Sequence, residues 1–264
     1  MNRFEGKVVI VTGAGSGIGA GTARRFLKEG ACVVVNGRRE QKLQETIAGF
    51  DAAKSLLHPG DVSDEEYVKR LVEDTVAKFG KLDVLVNNAG IAIFGPFAQT
   101  TTQDWRKIMA TDLDSVYFAC REALPHLLKT KGSIVNLSSA SGLGGDWGMS
   151  AYTAAKGAIT NFTRSLALEY GSRGVRVNAV APSLTSTDAT ADLVKNEAVM
   201  AAFLDRLPIG RAATPDEVAG AIAFLASEDA VFVNGAVLPV DGGLHASNGQ
   251  PNFLSLFAKG GKSR

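Results

Sequence analysis

Short runs of β-branched and other apolar residues recur along this chain, separated by longer stretches in which apolar positions return every three or four residues. Residues 7–12 (Lys7-Val8-Val9-Ile10-Val11-Thr12), 31–36, 55–58, 83–87 and 132–139, the last opening into a loop, have the length and composition of short strands. Helical patterns follow the first three, running to about residue 29, to residue 50 and over 64–79. The longest covers 150–170, where Ala154, Ala155, Ala158, Leu166 and Ala167 are good helix formers, proline is absent and Gly157 is the one glycine. Strands and helices alternate without repeats, which predicts an α/β fold, a single-domain doubly wound parallel sheet over 1–246. In the tail, 247–264, Phe253, Leu254, Leu256 and Phe257 are a candidate apolar contact with a neighbouring subunit, and the last six residues are expected to be disordered.

On such a sheet, ligands bind beyond the carboxyl ends of the strands, where Thr12, Asn36, Asp61, Asn87 and Ser139 would gather. The first strand runs into Gly13-Ala14-Gly15-Ser16-Gly17-Ile18-Gly19 and then a helix, the order of a phosphate cradle in a Rossmann fold. Glycines let the backbone approach a pyrophosphate, and the helix N-terminus offers free N–H groups. At the end of the second strand stands Asn36-Gly37-Arg38-Arg39, where an acid would favour a free ribose 2′-hydroxyl and an arginine a 2′-phosphate. There is no acid, and Arg38 supplies a planar donor fork, so NADP(H) is favoured with NAD(H) possible. The alternative is that Arg38 and Arg39 merely begin a solvated helix.

Tyr152 and Lys156 stand four apart in Tyr152-Thr153-Ala154-Ala155-Lys156, and on a helix both share one face. A phenol is a poor base at neutral pH, and a neighbouring ammonium favours its anion. A hydroxyl from the loop into which 132–139 opens would then bond a substrate oxygen while Tyr152 delivers or removes the proton. Such chemistry requires a hydride donor, which the glycine loop would hold.

A net charge of +1 on 264 residues gives no electrostatic reason for nucleic acid or membrane partners. No run approaches the roughly 18 apolar residues of a membrane span, and Met1-Asn2-Arg3-Phe4-Glu5-Gly6 lacks a signal-like apolar region, so a cytoplasmic protein is expected. Cys32 and Cys120 read as buried spectators, and His58, His126 and His245 have no ligand spacing, so no metal is expected.

From about residue 7 to 243 the chain resembles the short-chain dehydrogenase/reductase family. The residues that carry this are Thr12-Gly13-x-x-x-Gly17-x-Gly19, Asp61, Asn87-Asn88-Ala89-Gly90, Ser139 thirteen residues before Tyr152, Tyr152-x-x-x-Lys156 and Pro239-Val240-Asp241-Gly242-Gly243. The resemblance implies Tyr152 as catalytic acid/base, Lys156 as its modifier and a ribose ligand, and Ser139, rather than the adjacent Ser138, on the substrate oxygen. It implies cofactor contacts from Gly13, Ser16, Gly17, Ile18 and Gly19, from Arg38, from Asp61 and Val62 at the adenine, from Asn88, and from Pro182 and Thr187 at the nicotinamide. It also implies a homotetramer or dimer, formed through helices near 113–128 and 151–170.

Two positions depart from the family pattern. Asp112 stands where asparagine is usual; that position supports a proton relay largely through its backbone carbonyl, so the relay is compatible with aspartate. Its charge would favour the Lys156 ammonium, oppose the phenolate and shift the pH optimum. Ser183 follows Pro182 where glycine is usual, either restricting the backbone there or changing nothing.

The segments 91–94, 143–149 and 184–203 are mainly apolar with small residues, which suggests a modest pocket for a small secondary alcohol or ketone. Trp147 either walls that pocket or packs beneath its loop. Residues 123–132, 142–148 and 249–251 resemble the acetoin and 2,3-butanediol dehydrogenase branch, which normally carries an acid where Gly37 stands, so the cofactor and branch readings diverge. The alternatives are a 3-oxoacyl thioester reductase, for which no basic cluster singles itself out, and a nucleotide-sensing module without turnover, against which the intact Ser139, Tyr152 and Lys156 argue.

Overall fold

The computed structural model describes residues 2–250, 252–254 and 257. Among these, seven parallel strands form one sheet: β1 (Val8–Val11), β2 (Cys32–Gly37), β3 (Ser55–Pro59), β4 (Val84–Asn87), β5 (Ser133–Leu137), β6 (Arg176–Pro182) and β7 (Val237–Val240), in the order β3-β2-β1-β4-β5-β6-β7. The order reverses between β1 and β4, which opens a crevice at their carboxyl ends. Strand side chains alternate between two cores. Ile10, Val34, Leu85, Ile134 and Val177 face one, with α3 (Glu65–Phe79), α5 (Ser115–Thr130) and α6 (Ser150–Tyr170). Val9, Val11, Val33, Val35, Val84, Val86, Val135 and Val180 face the other, with α1 (Gly17–Lys28), α2 (Glu40–Ile47) and α9 (Pro215–Ala226). Burial on both faces is why the strands read as continuous apolar runs rather than alternating ones.

Helix α6 spans the predicted 150–170, but α2 stops at Ile47 instead of reaching residue 50, because Ala48 leaves the helical region with ψ 130. Cys120 is buried as expected, whereas Cys32 is only half-buried. The apolar segment after β6 contains α7 (Ala191–Lys195) and α8 (Glu197–Leu204), which the apolar pattern did not separate from a loop. Between α4 (Thr102–Ile108) and α5, residues Met109–Asp114 form a π-helical turn, a wider turn that recurs at functional sites. No helix among the described residues is long and apolar enough to cross a membrane. Phe253, Leu254 and Phe257 are exposed, while Leu256 and the last six residues lie outside the described residues.

Candidate active site

A cleft of about 870 Å³ opens at the carboxyl ends of the strands on either side of the reversal. Of the candidate residues, Gly13, Ser16, Gly17, Ile18, Gly19, Arg38, Asp61, Val62, Asn88, Asp112, Tyr152, Lys156 and Thr187 line it; Ser139 and Pro182 do not. The lining also includes Thr111, Leu137 and Ala189, and Asn36, which the sequence places at a strand end.

At one end the site is backbone. The Thr12 hydroxyl accepts from the N–H groups of Asn88 at 3.0 Å and Ala89 at 3.1 Å. The Asn88 amide donates to the carbonyls of Thr12 at 2.8 Å and Gly13 at 3.2 Å, so β1 and β4 hold the loop between them. Gly13 has φ +65, and a Cβ there would stand 2.8 Å from Asn88 Nδ2; one on Gly19 would overlap the Gly13 carbonyl. Only glycine fits this packing. Ser16, the N-cap of α1, makes no side-chain cap bond, so the first-turn N–H groups remain open to an anion in the cleft. Arg38 and Arg39 line the same end without an ion pair among the described residues. Backbone donors, a positive helix end and two free guanidinium groups fit the pyrophosphate and ribose half of a dinucleotide. Across the cleft, the Thr187 methyl stands 2.9 Å from where a Gly17 Cβ would be, closing the wall over the loop.

At the other end the site is side chains. Lys156 is 3% exposed and donates to the Leu137 carbonyl at 3.0 Å. Its Nζ stands 5.6 Å from the Tyr152 ring centroid and 3.2 Å from Asp112 Oδ2. Asp112 is fully buried, its other oxygen accepting from the Ile91 N–H at 2.8 Å. Oδ2 meets the ammonium by charge, without hydrogen-bond alignment. Burial raises the Asp112 carboxyl above the ordinary aspartate range, against the pull of Lys156 and the Ile91 N–H. Burial works to lower Lys156, but the facing Asp112 and Tyr152 outweigh it and the ammonium sits above its ordinary value.

The two serines after β5 separate cleanly. The Ser138 hydroxyl lies 2.7 Å from Thr160 Oγ1 and donates to the Lys156 carbonyl, so it is spent on α6. Ser139 accepts from the Ser141 N–H at 3.1 Å, and its own O–H has no acceptor among the described residues. Pro182 is buried at the end of β6, paired with Val240, and the Ser183 hydroxyl ties to the Asp241 carbonyl at 3.0 Å. Trp147 is 87% exposed, so it does not pack beneath its loop, and it does not line the cleft. The Gly95 N–H donates to the Gly148 carbonyl at 2.9 Å, which joins its loop to the one after β4.

A family model described as enoyl-(acyl carrier protein) reductase matches residues 13–245. A solved short-chain dehydrogenase/reductase of the glucose/ribitol dehydrogenase type from Brucella melitensis superposes with a TM-score of 0.88 at 34% identity, covering 92% of this chain and 98% of that one. The chain belongs to the short-chain dehydrogenase/reductase family. Within it, a meso-2,3-butanediol dehydrogenase of Serratia marcescens is 48% identical over 96% of this chain and 100% of its own length. A glucose 1-dehydrogenase of Gluconobacter oxydans is 41% identical over 92% of this chain and 93% of its own. A 3-oxoacyl-[acyl-carrier-protein] reductase of Thermotoga maritima is 38% identical over 92% and 99%. As a short-chain dehydrogenase/reductase the protein is an NAD(P)-dependent oxidoreductase of the alcohol/ketone type.

Proposed function

We propose that the cleft interconverts a small vicinal diol and its hydroxyketone, with NADP(H) favoured and NAD(H) possible. The observation that carries this is the joining, in one cleft, of an anion cradle on α1 with the Tyr152, Lys156 and Asp112 cluster. A nicotinamide dinucleotide held in the cleft would supply or take the hydride. In the oxidative direction, Tyr152 takes the hydroxyl proton as the carbonyl forms, and the unspent O–H of Ser139 donates to the same oxygen. Lys156 places positive charge beside the Tyr152 ring. Thr187 and the β6 end at Pro182 would flank the nicotinamide, and Asp61, whose Oδ1 is held by the Ser63 N–H and hydroxyl, would meet the adenine with Val62.

The butanediol dehydrogenase relative supports the diol class, and Arg38 beside Gly37 supports the 2′-phosphate. Exposed Tyr117 on α5, Leu168 on α6 and Phe232 before β7 support a homo-oligomer, with a tetramer as the form to seek by sedimentation. A cytoplasmic location belongs to the same reading.

Absorbance at 340 nm with diols, hydroxyketones, sugars and acyl thioesters, using both cofactors, tests the proposal. Turnover of meso-2,3-butanediol or its hydroxyketone above the other classes is expected. Thioester preference would move the protein to the acyl reductases, and cofactor binding with no turnover would make it a sensor. Equal use of NAD(H) would remove the argument from Arg38.

A further inference from the structure

Behind the adenosine end of the cleft, a chain of polar side chains runs from Asn36 in the cleft lining to the exposed Asp74. Asn36, buried at the end of β2, donates through Nδ2 to the Tyr67 hydroxyl at 2.8 Å and to the carbonyls of His58 and Gly60, each at 3.3 Å. The Tyr67 hydroxyl lies 2.7 Å from both the His58 carbonyl and His58 Nδ1, and His58 Nε2 lies 3.0 Å from Asp74 on α3. With the Nε2 hydrogen given to Asp74, ring nitrogen and carbonyl compete for the single Tyr67 hydrogen. Burial pushes the Tyr67 phenol up to about 12, so it keeps that hydrogen at working pH. Its ring fills the space that a Cβ on Gly60 would need. Gly60 in turn donates to the Gly37 carbonyl at 3.0 Å, and the Asn36 carbonyl accepts from Ala14 in the glycine loop at 2.7 Å.

We infer that Tyr67, oriented by His58 and Asp74, is a positioning residue for the adenosine-binding floor of the cleft, the Asn36–Gly37 and Gly60–Asp61 segments. It does not itself line the cleft but bonds Asn36 and packs on Gly60, which do, and its hydroxyl joins the ends of β2 and β3 close to the glycine loop. Because the amide N–H groups of Asn36 are spent on this network, the donors that the strand end offers a ribose come from its backbone and from Arg38.

The inference rests on the dinucleotide reading of the cleft, and calorimetry with adenosine 2′,5′-bisphosphate separates the two. Failure of the wild-type protein both to bind this fragment and to turn over with either cofactor sinks the dinucleotide reading itself, whereas failure with the fragment alone removes only the 2′-phosphate and leaves the NAD(H) KM as the readout. If wild type binds, Tyr67→Phe, which keeps the ring, is expected to weaken the fragment and raise the cofactor KM about tenfold, with kcat within about twofold. Unchanged fragment affinity, or a fall confined to kcat, overturns the positioning role. Asp74→Asn, at the solvent end, is expected to weaken the fragment about two- to threefold with the fold intact. Should Tyr67→Phe fail to fold, that variant decides, and wild-type affinity in it overturns the inference.

Discussion

At the glycine-loop end of the cleft the working groups are backbone amides and carbonyls held in place by Thr12 and Asn88, whereas at the α6 end they are side chains held by one another. The first kind of site is defined by atoms that are missing, since a methyl on Gly13 or Gly19 collides with its own frame. The second is defined by charge, since Lys156 and Asp112 are both buried and each holds the other. One end should therefore fail when atoms are added and ignore pH, and the other should fail when an atom is removed and respond to pH.

The sharpest separation comes from removing one oxygen. Tyr152→Phe is expected to lower kcat by about 10²- to 10⁴-fold while cofactor affinity changes by no more than about threefold, measured by steady-state turnover and fluorescence titration. A residual rate near wild type would remove Tyr152 from the proton-transfer role. Adding one carbon at the other end should do the reverse. Gly19→Ala is expected to weaken cofactor binding by about 10- to 100-fold, with kcat at saturating cofactor much less affected. If kcat instead fell in step with affinity, the two ends would not be separable.

Between these extremes lies Arg38, a side chain at the backbone end. Arg38→Ala is expected to weaken NADPH about tenfold or more and leave NADH unchanged, read from the KM of each cofactor. A parallel loss for both would mean that the guanidinium acts on the shared pyrophosphate rather than on a 2′-phosphate.

The sequence made these two ends legible to different depths. The glycine loop announces itself because glycine spacing after a β-branched strand has few other uses, and Tyr152 with Lys156 because four residues on a helix fix a shared face. The charge of Asp112 beside Lys156 is legible by resemblance, but the contact geometry is not, because it depends on a π-helical turn at Met109–Asp114 that leaves no compositional mark. The network of Asn36, His58, Tyr67 and Asp74 is invisible for a related reason: its members are scattered over β2, β3 and α3, and only the parallel pairing of Asn36 with His58 brings them together. Apolar patterning assigns no element at β6, β7 or α9, although the last has a local signal, the Thr214-to-Glu217 capping box with Pro215 at its first turn. Trp147 shows the limit of composition: an aromatic in a glycine-rich loop reads as packed or walling, and here it is exposed.

The smallest expected effect tests the charged end most closely. Asp112→Asn keeps the shape of the side chain and an acceptor for the Ile91 N–H but removes the negative charge 3.2 Å from Lys156. In the wild-type protein Lys156 titrates above its ordinary value, so its contribution to stability is full below the ordinary lysine range and is lost as pH rises through the raised folded value. Asp112, also raised, contributes in the same sense: its share is full below the ordinary aspartate range and lost as pH climbs through its folded value. Without the carboxylate only Tyr152 opposes burial and the lysine is pulled down, so the alkaline loss of both stability and kcat/KM should begin at lower pH. Turnover at its own optimum should stay within about tenfold of wild type, because no group that touches substrate is removed. Thermal unfolding and kcat/KM measured from about pH 6 to 11 would follow both limbs across the ordinary lysine range. Profiles that superpose would mean that the buried carboxylate is electrically silent and that the side-chain end, like the glycine end, is held by shape.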